Sequence, residues 1–555
     1  MVEALVNFFR NIIPGELTVF ILSMMPIIEL RGGLVAAKML GVDLLPAMLI
    51  CFIGTILPTP FILLFINKIF DWMRNTRFVK LVDRMEAKGR SKFAQIEKYK
   101  TFGLLIFVAI PLPGTGAWTG SLAAALMKMP IKDALFSVIG GGAAGLMASC
   151  AAAHVLKKRG SVLVLEGNAK LGRKLLATGN GRCNLTNLNV SPAHYHGDVT
   201  AIQDLLHEYT PEAICAVFRE MGLVTKPDSE GRVYPQNQQA AAVLSALRWD
   251  AEKYGVSFSE EHTVSKIEKV KNGFTLICTD GTQLFTKQCI LTCGGAASPR
   301  HSCGEGYTLA KQLGHTVTKL YPSLTQLTVR AKQWKTLSGT RAPANAVLLA
   351  DGKPVYEESG EVQFTDTGIS GICVFGLSVY AGEFFALGTI RNKKYTSLAV
   401  RLDLLPDMAY QDVLDYLLEM TKLYPARAAG DLLSGLLHMR LGYMLVGVAG
   451  IAQSEPAVKI KAPQLKKLAS LLKGWKLDIT GTKDFSAAQV TAGGVPLTEL
   501  DPHTMASKKT PGLYLAGEML NIHGDCGGYN LHFAWASGIT AGKSAAYRCL
   551  KEEKR

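Results

Sequence analysis

Val138-Ile139-Gly140-Gly141-Gly142-Ala143-Ala144-Gly145 stands well inside the chain, between an apolar strand-like run and an alanine-rich helix-like run. Gly140, Gly142 and Gly145 form a G-x-G-x-x-G. Glycine there allows a tight turn, a close backbone approach to a pyrophosphate, and close helix–strand packing. On that reading a dinucleotide-binding part begins at about Ala134, and Ala143 and Ala144 open its helix. Residues 134–156 also contain no Asp, Glu, Lys or Arg, so a small-residue transmembrane helix is the competing reading. The next segment decides between them. Ser161-Val162-Leu163-Val164-Leu165-Glu166 is a short apolar strand ending in a carboxylate, where a βαβ unit places the acid that hydrogen-bonds an adenosine ribose. His154, Lys157, Lys158 and Arg159 close the intervening helix at the end where cations suit its dipole.

Further along, Gly172-Arg173-Lys174-Leu175-Leu176-Ala177-Thr178-Gly179-Asn180-Gly181-Arg182-Cys183-Asn184-Leu185-Thr186-Asn187 combines basic residues, glycines and amides. That mixture suits phosphates and a polar heterocycle better than a plain solvated loop. Gly231-Arg232-Val233-Tyr234-Pro235 reads as a turn with an aromatic anchor. The strand Ile290-Leu291-Thr292 runs into Cys293-Gly294-Gly295, where paired glycines let backbone approach a ligand. Gly512-Leu513-Tyr514-Leu515-Ala516-Gly517-Glu518 is another strand ending in glycine and acid. It leads through Asp525-Cys526-Gly527-Gly528-Tyr529-Asn530 into an apolar helix from about Leu531. Backbone N–H groups of 527–530 at that helix start would face a negative or electron-rich group, as the anionic reduced flavin is.

Together these segments resemble the BaiN-like NAD(P)/FAD-dependent oxidoreductases, also known as aminoacetone oxidase family FAD-binding enzymes, over about 136–550. The resemblance implies an α/β Rossmann-like FAD-binding domain split by a β-rich insert domain. It implies that Glu166 holds the adenosine ribose, the glycine loop the pyrophosphate, and the backbone of Val264 the adenine. It places Arg173, Lys174, Arg182 and Asn184 along the cofactor loop, with Gly517, Glu518 and Gly527 to Asn530 completing the flavin site. The chain departs from the family pattern at Cys293, at Ser302-Cys303-Gly304-Glu305-Gly306-Tyr307, and at Asn521. No second complete G-x-G-x-x-G with its acid is present, so NAD(P)H is expected only as a transient co-substrate. Candidate proton donors near the flavin motifs are His523, His532, Tyr529 and Tyr234; for each, a packed or surface role competes, and the catalytic residue is not assigned. The 411–447 stretch has apolar residues at helical spacing, as a core helix does.

The preceding part has a different character. Residues 17–37 are apolar apart from Glu29-Leu30-Arg31, and 44–66 and 102–127 are further apolar runs, broken by prolines. The stretch 68–100 carries ten Lys/Arg against four Asp/Glu, which orients it toward the cytoplasm. With the dinucleotide part also cytoplasmic, the third run is expected to enter and return as a re-entrant hairpin at its Pro/Gly break. Pro26-Ile27-Ile28-Glu29-Leu30-Arg31-Gly32-Gly33 and Pro111-Leu112-Pro113-Gly114-Thr115-Gly116-Ala117-Trp118-Thr119-Gly120 resemble the small multidrug export protein family, here truncated. That resemblance implies an α-helical segment in a lipid bilayer. Ionisable residues in such a run are functional candidates, so export of a small cationic molecule by this part is the alternative function.

The expected organisation is therefore a membrane domain at 1–133, a flavin domain at 134–324 and 486–555, and an insert at 325–485. The expected location is the inner (plasma) membrane with the flavin domain in the cytoplasm. A net charge of +15 favours anionic ligands or lipid. Without a Lys/Arg tract interleaved with aromatics, nucleic acid is not an expected partner; a small-molecule substrate is. Eleven cysteines without a C-x-x-C suggest free thiols and neither a metal site nor a disulfide framework. Oligomeric state is not legible.

Overall fold

The run before the glycines, Ala134–Ile139, is a strand, and Ala143–Leu156 is a helix. The computed structural model describes residues 2–9, 12–25, 29–57, 134–157, 159–298, 300, 302, 304–330 and 334–552. The chain divides into two units, 1–132 and 133–555, each with its own apolar clusters.

In the second unit the absence of charge around the glycine motif has a packing cause. The helix Ala143–Leu156 is buried on nearly every side and lies against the last helix, Tyr529–Glu552. A Cβ on Gly538 would come within 2.6 Å of the Ala144 carbonyl oxygen, and one on Gly542 within 2.2 Å of that of Ala148. Small residues on both helices permit that approach, and a helix enclosed all round has no place for charge.

Around it runs a mostly parallel sheet. Ser257–Ser259, Val162–Leu165, Ala134–Ile139, Gln283–Leu291 and Leu513–Leu515 lie side by side in that order. Ile139 pairs with Leu165 on one side and Leu291 on the other, and Leu291 with Leu515. The carboxyl ends of four strands are therefore level, and in such sheets ligands bind in the crevice beyond those ends. Val162–Leu165 is buried throughout, as a parallel strand covered on both faces must be.

The β-rich insert is a closed barrel. Leu327–Val329, Gly368–Ser370, Lys353–Phe364, Arg341–Ala350, Leu398–Asp403 and Trp475–Thr482 follow one another around it. Phe364, Trp475 and Val400 share its core cluster with Val413 and Leu417 of the helix Tyr410–Leu423 and with Leu441 and Leu445 of Met439–Val448. The expected turn at 231–235 is instead a strand, Arg232–Pro235, paired with Thr186–Asn187 and Thr225–Pro227. Its partners come from elsewhere in the chain, and local turn chemistry is overridden by them.

In the first unit the apolar run 17–37 is divided between two helices, Gly15–Met24 and Glu29–Leu40, on either side of Pro26; Val2–Phe9 precedes them and Leu44–Ile56 follows. Their contacts use small residues: a Cβ on Gly54 would lie 2.9 Å from the Phe20 carbonyl oxygen, and one on Gly33 2.7 Å from Cys51 Sγ. Leu44, Leu45, Met48, Leu49, Phe52 and Ile53 are exposed on the last of these helices. Among the described residues no helix is long and apolar enough to cross a membrane. The side chains of Glu29 and Arg31, the basic loop 68–100 and the hairpin expected in 102–127 lie outside the described residues.

Candidate functional site

Two of the three motif glycines, Gly140 and Gly145, are required by close contact. Gly140 has φ 111°, and a Cβ there would come within 2.5 Å of the Thr292 carbonyl oxygen. A Cβ on Gly145 would lie 1.8 Å from the Gly140 carbonyl oxygen, so the helix can start this close to the strand only with glycine. Gly142 differs: nothing lies within 4 Å of where its Cβ would be. It caps the helix with no side-chain hydrogen bond, leaving the first N–H groups of the helix without a capping side chain. Gly142, Ala143 and Ala144 face a cleft with 1540 Å³ of atom-free space.

Glu166 ends the neighbouring strand on the same cleft, 8% exposed. One carboxylate oxygen accepts the Gly141 N–H at 2.8 Å; the other accepts from the Asn168 backbone N–H at 2.8 Å and its side-chain amide at 2.6 Å. The acid thus fastens the glycine turn as well as lining the cleft, a second role the βαβ spacing does not reveal.

Arg173, Lys174, Val264, Gly294, Glu518 and Asn530 also line this cleft. Lys174 and Glu518 form an ion pair across it at 2.5 Å, and the other Glu518 oxygen accepts the Thr491 N–H at 2.9 Å. Arg300, not singled out by sequence, adds a further cation. Cys293 lies here too; burial, with Glu166 and Glu305 nearby, pushes its thiol up to about 12, so it stays neutral. Gly145, Gly295 and Gly517 stand behind the lining. A Cβ on Gly295 would meet Thr491 Oγ1 at 2.4 Å, and one on Gly517 the Ala144 Cβ at 2.8 Å.

An uncapped helix start, a glycine whose missing Cβ opens into the cleft, and a carboxylate on the adjacent strand fit a dinucleotide with its pyrophosphate at the helix end. The described donor set therefore suits FAD.

The remaining expected residues gather elsewhere. Gly181 has φ 82°, and the Arg182 guanidinium lies 4.9 Å over the Tyr234 ring. The Asn184 side-chain oxygen is buried without a partner, 2.8 Å from where a Gly528 Cβ would stand. Gly527 and Gly528 have φ 134° and 102°. Asn530 closes the 524–530 loop through two 2.8 Å hydrogen bonds with the Gly524 backbone. Tyr529 stacks on His194 at 4.4 Å. His532 is held at Nδ1 by Thr186 at 2.8 Å in the core, where burial lowers it to about 4.

That loop carries a titratable cluster legible only in three dimensions. Asp525 accepts from His194 Nδ1 at 3.1 Å and from His196 Nε2 at 2.8 Å. Burial raises the Asp525 carboxyl, but the two imidazole hydrogen bonds outweigh it and the group sits below its usual range. His523 pairs with His196 across two strands, rings 5.1 Å apart. It is 3% exposed, and neither ring nitrogen has a partner. Burial and the adjacent His196 lower it to about 3, against the pull of Asp525. From the barrel side, Tyr380 meets His196 edge-on at 5.6 Å and accepts from Arg391 at 2.6 Å. Tyr356 stands 4.7 Å from Tyr380 and donates to Glu358 at 3.3 Å. Burial raises Glu358 to about 7; the Tyr356 hydrogen bond opposes this and Asp525 adds to it.

The HI0933-like protein Rossmann domain matches residues 135–544, and the small multi-drug export protein family matches 29–147. Both matches include the glycine turn. The chain is 37% identical over 413 residues to the 3-dehydro-bile acid delta(4,6)-reductase of Clostridium scindens, covering 74% of this chain and 98% of that protein. It is 30% identical over 414 residues to the ribosomal RNA dihydrouridine synthase of Haemophilus influenzae, covering 73% and 97%. Among solved structures, 3-ketosteroid-delta4-(5alpha)-dehydrogenase from Rhodococcus jostii RHA1 is 17% identical, with 75% and 97% covered and a TM-score of 0.40.

Proposed function

Since the chain belongs to the HI0933-like Rossmann family and is a flavin-dependent oxidoreductase, we propose that it reduces a carbon–carbon double bond conjugated with a carbonyl. FAD is the resident cofactor in this reading and NAD(P)H the transient electron donor. The observation that carries it is chemical. Both relatives named above reduce such bonds: one in a 3-oxo steroid skeleton, the other in the uracil ring. Both are matched over nearly their whole length.

Bound flavin supplies a hydride at N5. The chain's residues supply the rest. Gly142, Ala143 and Ala144 would hold the pyrophosphate at the helix start, Glu166 the ribose, and Val264 the adenine. Arg173, Lys174 and Arg300 offer cations to the phosphates, while Gly294, Glu518 and the 527–530 backbone would frame the flavin ring. The start of the helix Tyr529–Glu552 favours negative charge beside it. Cys293, neutral and half-buried, packs without acting as a nucleophile.

Purified protein is expected to carry one flavin that NADH or NADPH bleaches anaerobically. A panel of a 3-oxo-Δ4 steroid, a uridine oligonucleotide and a quinone then identifies the acceptor. Flavin-free protein, or reoxidation by the quinone alone, would contradict the reading.

The first unit is proposed to hold the enzyme on the plasma membrane, with the flavin domain in the cytoplasm. The match at 29–147 and the exposed apolar side of Leu44–Ile56 support this. Removing residues 1–133 should release a soluble enzyme with unchanged flavin content; full-length protein partitioning into the aqueous fraction would argue the reverse.

A further inference from the structure

Reduction of a conjugated double bond needs a proton as well as a hydride. The junction of the 524–530 loop with the barrel gathers groups able to supply it. We propose that His196, oriented by Asp525, gives the proton to the substrate's α-carbon, while His523 donates a hydrogen bond to its carbonyl oxygen. The inference rests on the double-bond reductase reading.

The geometry separates the two imidazoles by task. His196 has Nε2 fixed on Asp525 at 2.8 Å, which sets the ring orientation and leaves Nδ1 as the nitrogen not engaged by that carboxylate, as positioned acids are arranged elsewhere. Its side chain is 17% exposed, enough to be recharged from water. His523 is buried with both nitrogens unpartnered. A buried polar group without a partner is costly unless a ligand or water completes it, and a neutral imidazole has one N–H to give. His194 is less suited, since its ring face is covered by Tyr529. Asn530, five residues beyond Asp525, lines the flavin cleft, so one loop joins the hydride side to the acid.

The step balances. With hydride added to the β-carbon, the double-bond pair moves onto the carbonyl and an enolate forms, its oxygen on the His523 N–H. The Nδ1–H bond of protonated His196 breaks and the proton bonds to the α-carbon. The ketone reforms, and neutral His196 takes a proton from solvent. Asp525 is a positioning residue in this scheme, touching no substrate.

The test uses full-length holoenzyme, reduced anaerobically and mixed with a cyclic enone in D₂O. In wild type, reoxidation is fast and deuterium enters one face of the α-carbon. His196→Gln should keep its flavin but reoxidise about 100-fold more slowly, the usual worth of a general acid, with deuterium on both faces. Asp525→Asn should change in the same direction by about tenfold, and carries the test should His196→Gln lose its flavin. Binding of the saturated ketone, read by calorimetry, should weaken in His523→Gln and stay within about twofold in His196→Gln. Single-face deuteration and unslowed reoxidation in both His196→Gln and Asp525→Asn would overturn the inference alone. Wild-type reduced flavin that no enone reoxidises would overturn the reductase reading and this inference with it.

Discussion

The two ends of the site are built from different materials. At the glycine turn the structure works through backbone: a helix start, missing Cβ atoms, and one carboxylate that fastens the turn. At the 524–530 loop it works through side chains, with two histidines on one aspartate, a third histidine without a partner, and a tyrosine and glutamate from the barrel. In the proposed reading the difference separates holding a cofactor from reacting beside it. A backbone cradle can be substituted only by losing its shape, whereas a side-chain cluster can lose one group and keep the fold.

The most severe way to probe this division is Gly145→Val. With the Gly140 carbonyl 1.8 Å from the first added carbon, the strand and helix must part. The variant should lose all bound flavin and about 3 kcal/mol or more of stability, read from the flavin-to-protein ratio and thermal unfolding. Full flavin retention would mean that the turn does not form the cradle.

Glu166→Gln should act more mildly at the same end. The charge-assisted bond to the Gly141 N–H, and with it the ribose bond of the proposed reading, becomes neutral, and flavin affinity should fall about tenfold. Flavin reoxidation by substrate in the loaded variant should be unchanged. Equal losses in both would blur the distinction between the two ends.

The smallest effect belongs to the side-chain end. Glu358 is raised from its ordinary 4.5 to about 7, so the folded protein keeps a proton that the unfolded chain has released across this window. Stability therefore falls as pH rises from about 4.5 to about 7. Glu358→Gln has no proton to lose and should flatten that part of the Tm–pH curve without affecting flavin content. Parallel curves for variant and wild type would show that Glu358 titrates as an ordinary surface carboxylate.

Legibility in the sequence follows the same division. The Rossmann strand, glycine turn and Glu166 are contiguous or regularly spaced, because a βαβ unit imposes its demands on neighbouring residues. Asp525 lies 331 positions from His194, and Tyr380 and Glu358 arrive only when the barrel closes against the flavin domain. Histidines at 194 and 196 carry no local signal for that meeting. Gly231–Pro235 failed as a turn for the same reason: its strand partners at 186–187 and 225–227 are supplied by the surrounding fold. The uncharged run 134–156 invited a membrane reading because a helix enclosed by protein and one enclosed by lipid shed charge alike.

The most direct measurement is anaerobic mixing of the fully reduced holoenzyme with one equivalent of a 3-oxo-Δ4 steroid, following flavin absorbance and product together. Return of the oxidised flavin spectrum is expected, with one saturated ketone formed per flavin. A spectrum that stays reduced with the enone, yet recovers on adding a quinone or oxygen, would contradict it.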